Sequence, residues 1–113
     1  MSLSLVIIIA NSGFVDDIMD SIKIVGAKGG TILSGNGTVS ENAQKLYGIG
    51  MHPEKDCLLT IVDQEIKDKV LKTVYDLNIV KQMGAIAFSL PISDASTNLI
   101  NQYENKELEE DKS

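Results

Sequence analysis

The sequence predicts an α+β, ferredoxin-like βαββαβ domain, with four antiparallel strands and two helices on one face. Two observations point to it. The apolar runs Leu5 to Ile9 and Leu58 to Val62 are each followed by an amphipathic helical pattern and then by another apolar run. The resulting strand-helix-strand units, Leu5 to Ser34 and Leu58 to Leu90, are offset by about 53 residues, and a doubled unit of this size is the split βαβ arrangement. Between the units, Gly26 to Met51 holds seven of the chain's 9 glycines, a clustering that suits shaped loops and close backbone approach.

The elements follow in order. Leu3 to Ala10 is almost continuously apolar and rich in β-branched residues, as expected of a buried strand. It lacks a basic flank and falls far short of the roughly 20 residues of a membrane span, so a strand is expected rather than a signal peptide or a transmembrane segment. Asn11 or Ser12 is expected to cap the first helix, with Asp16 and Asp17 in its first turn. Val15, Ile18, Met19, Ile22 and Val25 form its apolar stripe, and Gly26 ends it. Thr31 to Ser34 is a short strand. Residues 37–54 form a long loop, with a helical turn at Glu41 to Leu46, and long loops are often functional. Asp56 to Val62 is the third strand and Asp63 the expected cap of the second helix, whose stripe is Ile66, Val70, Val74 and Leu77. Asn78 is expected to end that helix in the left-handed conformation. Ile79 to Met83 then connects to a last strand, Ala85 to Leu90, which Pro91 stops. Residues 1–95 make the domain. Residues 96–113 make a polar, acidic tail, expected to fray after Leu99 and to serve solubility.

Composition removes several function classes. The 113 residues suit one domain that buries about two-thirds of its unfolded surface. A formal net charge of −6, with lysine as the only basic residue type besides one histidine, argues against a nucleic-acid surface. The single cysteine, Cys57, lies in an apolar run and is expected to be core packing. It suits a reducing cytoplasm.

Both central strands are apolar at nearly every position, whereas an antiparallel sheet covered on one face alternates apolar and polar. The second face therefore needs cover, and a symmetric homo-oligomer is the economical source.

No serine elbow, Walker loop, dinucleotide fingerprint or paired acid and base is present, so an enzyme is not expected. Gly35, Asn36 and Gly37 suit either a tight hairpin or a backbone-amide cradle for phosphate. Tyr47 either folds the long loop on itself or anchors a partner. His52 is either a loop residue or a ligand, and Lys28, Lys55 and Lys81 flank strand ends where they could gather around an anion.

The capped first helix ending in glycine, the strand leading to Gly35-Asn36-Gly37, the long loop closing at Pro53 and the ending Phe88-Ser89-Leu90-Pro91-Ile92 together resemble the PII nitrogen-regulatory signalling proteins, and more closely their shortened, PII-like members of Gram-positive bacteria. The resemblance covers about residues 3 to 95. It implies a cytoplasmic homotrimer with sheets lining the centre. It also implies adenine nucleotides (ATP, ADP, AMP or cyclic AMP) bound in clefts between subunits, and a long loop that engages a transporter or enzyme. By position, the nucleotide contacts would be Ile7, Thr31, Asn36, Gly37 and Thr38 on one side, with Gly84, Ala85 and Ile86 on the other. Tyr47 and His52 would lie in the partner-binding loop. Ile86 stands where the family's phosphate-binding lysine lies, leaving Lys81 as a substitute, and the arginines expected after the last strand are missing. Val39, Ser40 and Glu41 replace further loop positions, which implies a smaller or less charged nucleotide than ATP. Tyr47 lacks the sequence context of the modifiable tyrosine, so uridylylation is not expected. The alternatives are a trimeric interaction protein without a small-molecule ligand, acting through Tyr47 and its loop, and a metal-binding trimer of the CutA kind built on His52, Glu54 and Asp56.

Overall fold

In a computed structural model, residues 2–38 and 53–104 are described. The elements run β1 (Leu3–Asn11), α1 (Val15–Ile24), β2 (Thr31–Asn36), β3 (Glu54–Asp63), α2 (Gln64–Lys81), β4 (Ile86–Pro91) and α3 (Thr97–Glu104). The four strands form one antiparallel sheet in the order β2-β3-β1-β4. The expected ferredoxin-like arrangement is the observed one.

Alternation along the strands divides the sheet into two faces. Val6, Ile8 and Ala10 of β1, with Leu58 and Val62 of β3, point to the helix layer and are buried. There they meet Val15, Ile18 and Ile22 of α1, Val70 and Val74 of α2, and Met83. Thr60 lies on the same face at 1% exposure, and its hydroxyl donates to the Gly29 carbonyl at 2.6 Å, so its burial leaves no polar atom stranded. Leu5, Ile7 and Ile9 point the other way, opposite Ile61, Leu59 and Cys57 on one side and Leu90, Phe88 and Ile86 on the other. Ile86, Phe88 and Leu90 are 59%, 43% and 50% exposed. This face is apolar and open. Cys57 accordingly sits half-buried on the open face and not in the core, because its place in the strand alternation, rather than its apolar neighbours, decides its direction.

Helix boundaries depart from expectation in two places. Neither Asn11 nor Ser12 caps α1. The cap position is Phe14, which offers no side-chain hydrogen bond, because β1 continues through Asn11 and carries that side chain to the open face. Asp63 does occupy the cap position of α2, again without a capping hydrogen bond. Asn78 does not end α2, which runs on to Lys81 and closes at Gln82, in the left-handed conformation at φ 52°. The Asn78 side chain instead reaches past the helix end. Its Oδ1 accepts hydrogen bonds from the backbone N–H groups of Met83 and Ala85, both at 3.0 Å. An asparagine amide can satisfy backbone donors beyond a helix as readily as it can adopt the left-handed turn itself. The shorter connection sinks Met83 into the core at 0% exposure and leaves Ile79 and Val80 exposed.

The stretch expected to fray after Leu99 forms α3, with Tyr103 buried. Its hydroxyl donates to the Ile61 carbonyl of β3. β2 pairs with β3 only from Leu59 toward Glu54, so this part of the β3 edge has no strand beside it.

Removing the Asn78 carbonyl leaves two backbone donors without partners at the approach to β4. Asn78→Ala is therefore expected to lose about 2 kcal/mol of stability, from ~1–3 kcal/mol per stranded group partly relieved by water, measured by urea unfolding with an unchanged m-value.

Candidate functional site

Antiparallel pairing brings the ends of β1 and β2 and the starts of β3 and β4 to one end of the sheet. Asn36 pairs with Glu54, Asn11 with Lys55, and Ile9 with Ile86. The long loop leaves from this end. Its base is closed by the Gly37 N–H, which donates to the Pro53 carbonyl at 2.8 Å. Ser34 and Asp56 brace the hairpin from the helix side: the Ser34 hydroxyl donates to Asp56 Oδ1 at 3.1 Å, and the Gly13 N–H donates to Oδ2 at 3.2 Å.

Along the open face, a groove of about 290 Å³ is lined by Ile9, Leu33, Ser34, Gly35, Asn36, Gly37, Lys55 and Cys57. Its floor is apolar and its rim is the backbone of the β2 end. Lys55 is the one cationic side chain in its lining.

A polar seam crosses the end of the sheet. The Lys55 ammonium donates to Asn11 Oδ1 at 2.6 Å, and the Asn11 N–H donates to the Met83 carbonyl at 2.9 Å. Gly84 lies directly against the Asn11 amide, where a Cβ would come within 2.8 Å of Nδ2, and its φ is +60°. Both features favour glycine there. Asn78 holds the far side of the same turn. The seam thus ties the start of β3, the end of β1 and the approach to β4 into one unit.

The candidate nucleotide residues fall into separate groups. Asn36, Gly37 and Thr38 gather at the loop base, while Gly84, Ala85 and Ile86 gather at the start of β4. These groups share one end of the sheet but lie on its opposite edges, three strand spacings or about 14 Å apart. Ile7 and Thr31 belong to another row, Phe88-Ile7-Leu59-Thr31, well back from this end. Thr31 borders a second groove of about 350 Å³, beside α3. Lys81 lies on the helix layer, its ammonium 2.8 Å from Asp17 Oδ2. Lys28 lies 4.3 Å above the Tyr103 ring and donates to the Gln102 carbonyl. The three strand-end lysines therefore do not gather within one chain. Tyr47, His52 and the turn at Glu41 to Leu46 lie outside the described residues. Among those described, no group of three or more His, Cys, Asp or Glu is arranged to hold a metal ion, and no helix is long and apolar enough to cross a membrane.

Asn11, Asn78 and Tyr103 were not legible as site or anchoring residues, and Lys55 was legible only as one of three strand-end lysines. Parity along β1 and β3 was the available signal, since it sends Asn11 and Lys55 to the same face as Ile9 and Cys57.

No family model and no curated protein matches the sequence. Solved structures do. A Thermus thermophilus protein described as a PII-like signalling protein is 26% identical, with a TM-score of 0.63 over 81% of this chain and 87% of that one. The chain has the fold of the PII-like proteins. CPII from Thiomonas intermedia, a nitrogen regulatory PII-like protein in complex with ADP, AMP and bicarbonate, is 16% identical, with a TM-score of 0.64 over 85% of this chain and 96% of that one. Bacillus subtilis GlnK is also 16% identical, with a TM-score of 0.62 over 82% and 87%. These last two likenesses carry the fold alone, and the PII-like fold accounts for the strand order, the loop position and the open face.

Burial, reinforced by the Asp63 carboxylate, raises the Tyr103 phenol above its ordinary value of 10.0. A group whose folded-state value is raised stabilises the fold below its unfolded value, and that stability is lost as pH rises above it. Tyr103→Phe is expected to cost about 1 kcal/mol at neutral pH, the net value of one hydrogen bond. The wild type's advantage over the variant should disappear as pH rises above about 10, as measured by chemical denaturation across pH.

Proposed function

We propose that this chain is a non-enzymatic signal-transduction regulator. It works as a homotrimer, binds an adenine nucleotide in the clefts between subunits, and controls a partner protein, a transporter or an enzyme, through loop 37–54. The observation that carries this is the separation of the loop base from the Gly84 to Ile86 segment across the width of one sheet. Two such half-sites can border a single small ligand only when one copy brings its β4 edge against the β2 edge of another. The open face supplies the reason for association, since its apolar side chains would otherwise stand in water. The nucleotides held by CPII support adenine as the base. A ligand seated against Asn36, Gly37 and Thr38 touches the residues from which the loop departs, so it favours one loop arrangement over others, and a partner reads that arrangement. A role in nitrogen regulation within the cytoplasm is the setting this reading implies.

Assembly is tested first. The wild type should sediment at about three times its 12.2 kDa chain mass. Phe88→Asp, which places a carboxylate on the open face at its β4 edge, should sediment as a monomer, and a wild-type monomer would sink the trimer. Binding is tested by thermal unfolding with ATP, ADP, AMP and cyclic AMP. A nucleotide at about 100 times its dissociation constant adds roughly 2.7 kcal/mol per site and raises the midpoint by several degrees. The expected result is a shift with one of the less charged nucleotides. No shift with any of the four would favour an interaction protein without a small-molecule ligand.

A further inference from the structure

We propose that Lys55 holds the anionic group of the ligand, supplying from the loop base the cation that Ile86 does not. The inference rests on the nucleotide reading above and assigns the phosphate's partner within it.

Lys55 sits on the open face, in strand register between Asn11 and Gly35, at the mouth of the groove floored by Ile9, Leu33 and Cys57. Its ammonium is part-buried and donates to a neutral acceptor, Asn11 Oδ1. Among the described residues no carboxylate lies within ion-pair distance of it, whereas Lys67, Lys72 and Lys81 each have one. Its sequence neighbours cannot compensate it, because alternation along β3 sends Glu54 and Asp56 to the opposite face. Asp56 is moreover engaged by Ser34 and Gly13. A cation on an apolar surface with only a neutral acceptor gains most from an anion entering that surface.

The lysine also touches the loop. A Cβ on Gly37 would stand 3.2 Å from Lys55 Cγ and 3.3 Å from Cε, so the stem runs directly beneath the residue whose N–H closes the loop base on Pro53. An anion that draws the ammonium from Asn11 moves the stem against Gly37. The same side chain therefore meets the ligand and bears on the departing loop. One lysine without a guanidinium beside it supplies a single positive charge, which favours a nucleoside mono- or diphosphate over a triphosphate.

Titration calorimetry with AMP, ADP and adenosine on the full chain separates the possibilities. Lys55→Gln keeps a donor for Asn11 while removing the charge. It should weaken AMP and ADP by roughly ten- to a hundred-fold, the loss of one charge-assisted hydrogen bond, leave adenosine unchanged, and flatten the salt dependence of ADP binding. Lys55→Arg should restore AMP and ADP to within a few-fold, and Lys72→Gln, the same charge change on an exposed helix face, should have no effect. If Lys55→Gln binds AMP and ADP as the wild type does, or weakens adenosine equally, the assignment is overturned while the nucleotide reading stands. If the wild type binds none of the three compounds, both fall together.

Discussion

The central strand β1 is apolar on both of its faces, and the rest of the molecule is arranged around that constraint. It pairs with β3 on one side and β4 on the other, so its residues have neither an edge nor a polar face to turn toward water. Val6, Ile8 and Ala10 are covered by α1 and α2. Burying each large side chain contributes about 1.5–3 kcal/mol relative to exposure, and Ile8, Ile18, Ile22 and Leu58 all reach 0% exposure. Leu5, Ile7 and Ile9 receive cover only from their cross-strand neighbours. An α+β domain of this size has no third layer to lay over them, which makes association the remaining route to a dry second face.

The polar seam is the counterpart of the apolar faces. Where the sheet ends, backbone groups at the approach to β4 have no strand partner, and buried donors without partners are costly. Asn78 and Asn11 satisfy them, and glycine at position 84 leaves room for the Asn11 amide. The result is a stiff corner formed by chain segments far apart in sequence. A stiff corner is what a ligand cradle needs, since side chains held by packing and hydrogen bonds lose little freedom on binding.

Much of this was legible in the sequence, for identifiable reasons. Apolar runs and 3.6-residue stripes report what a segment buries, so the strands, both main helices, their order and the unpartnered face followed from Leu5 to Ile9, Leu58 to Val62, and the stripes of Val15 and Ile66. Short polar residues were misassigned because their side chains have several options. Asn11 can cap a helix or end a strand, and tertiary contacts with Lys55 and Gly84 decided for the strand. Asn78 can terminate a helix through its backbone or its amide, and the amide was needed at Met83 and Ala85. Helix α3 carries few apolar residues, so composition pointed to a fraying tail. It is held by Tyr103, which meets an edge carbonyl of β3, and by Lys28, which meets the Gln102 carbonyl, and no local pattern reveals either contact. The candidate site was legible as a loop base and a glycine turn, but the pairing of Lys55 with Asn11 depends on register between strands more than forty residues apart.

Coupling between a ligand and a loop requires contact between the ligand and an element that has more than one arrangement. On the proposed reading the contact is made over a short distance. The seam fixes Asn11 and Gly84, the hairpin fixes Ser34 and Asp56, and the Gly37 to Pro53 hydrogen bond is the last backbone link before the loop begins. Whatever occupies the groove of Ile9 and Cys57 meets the rigid parts through Asn11 and the departing chain through Gly37, with the Lys55 stem lying between them. A change in where that ammonium finds its partner is therefore felt first at Gly37, where the chain leaves the sheet, and the rest of the sheet need not move.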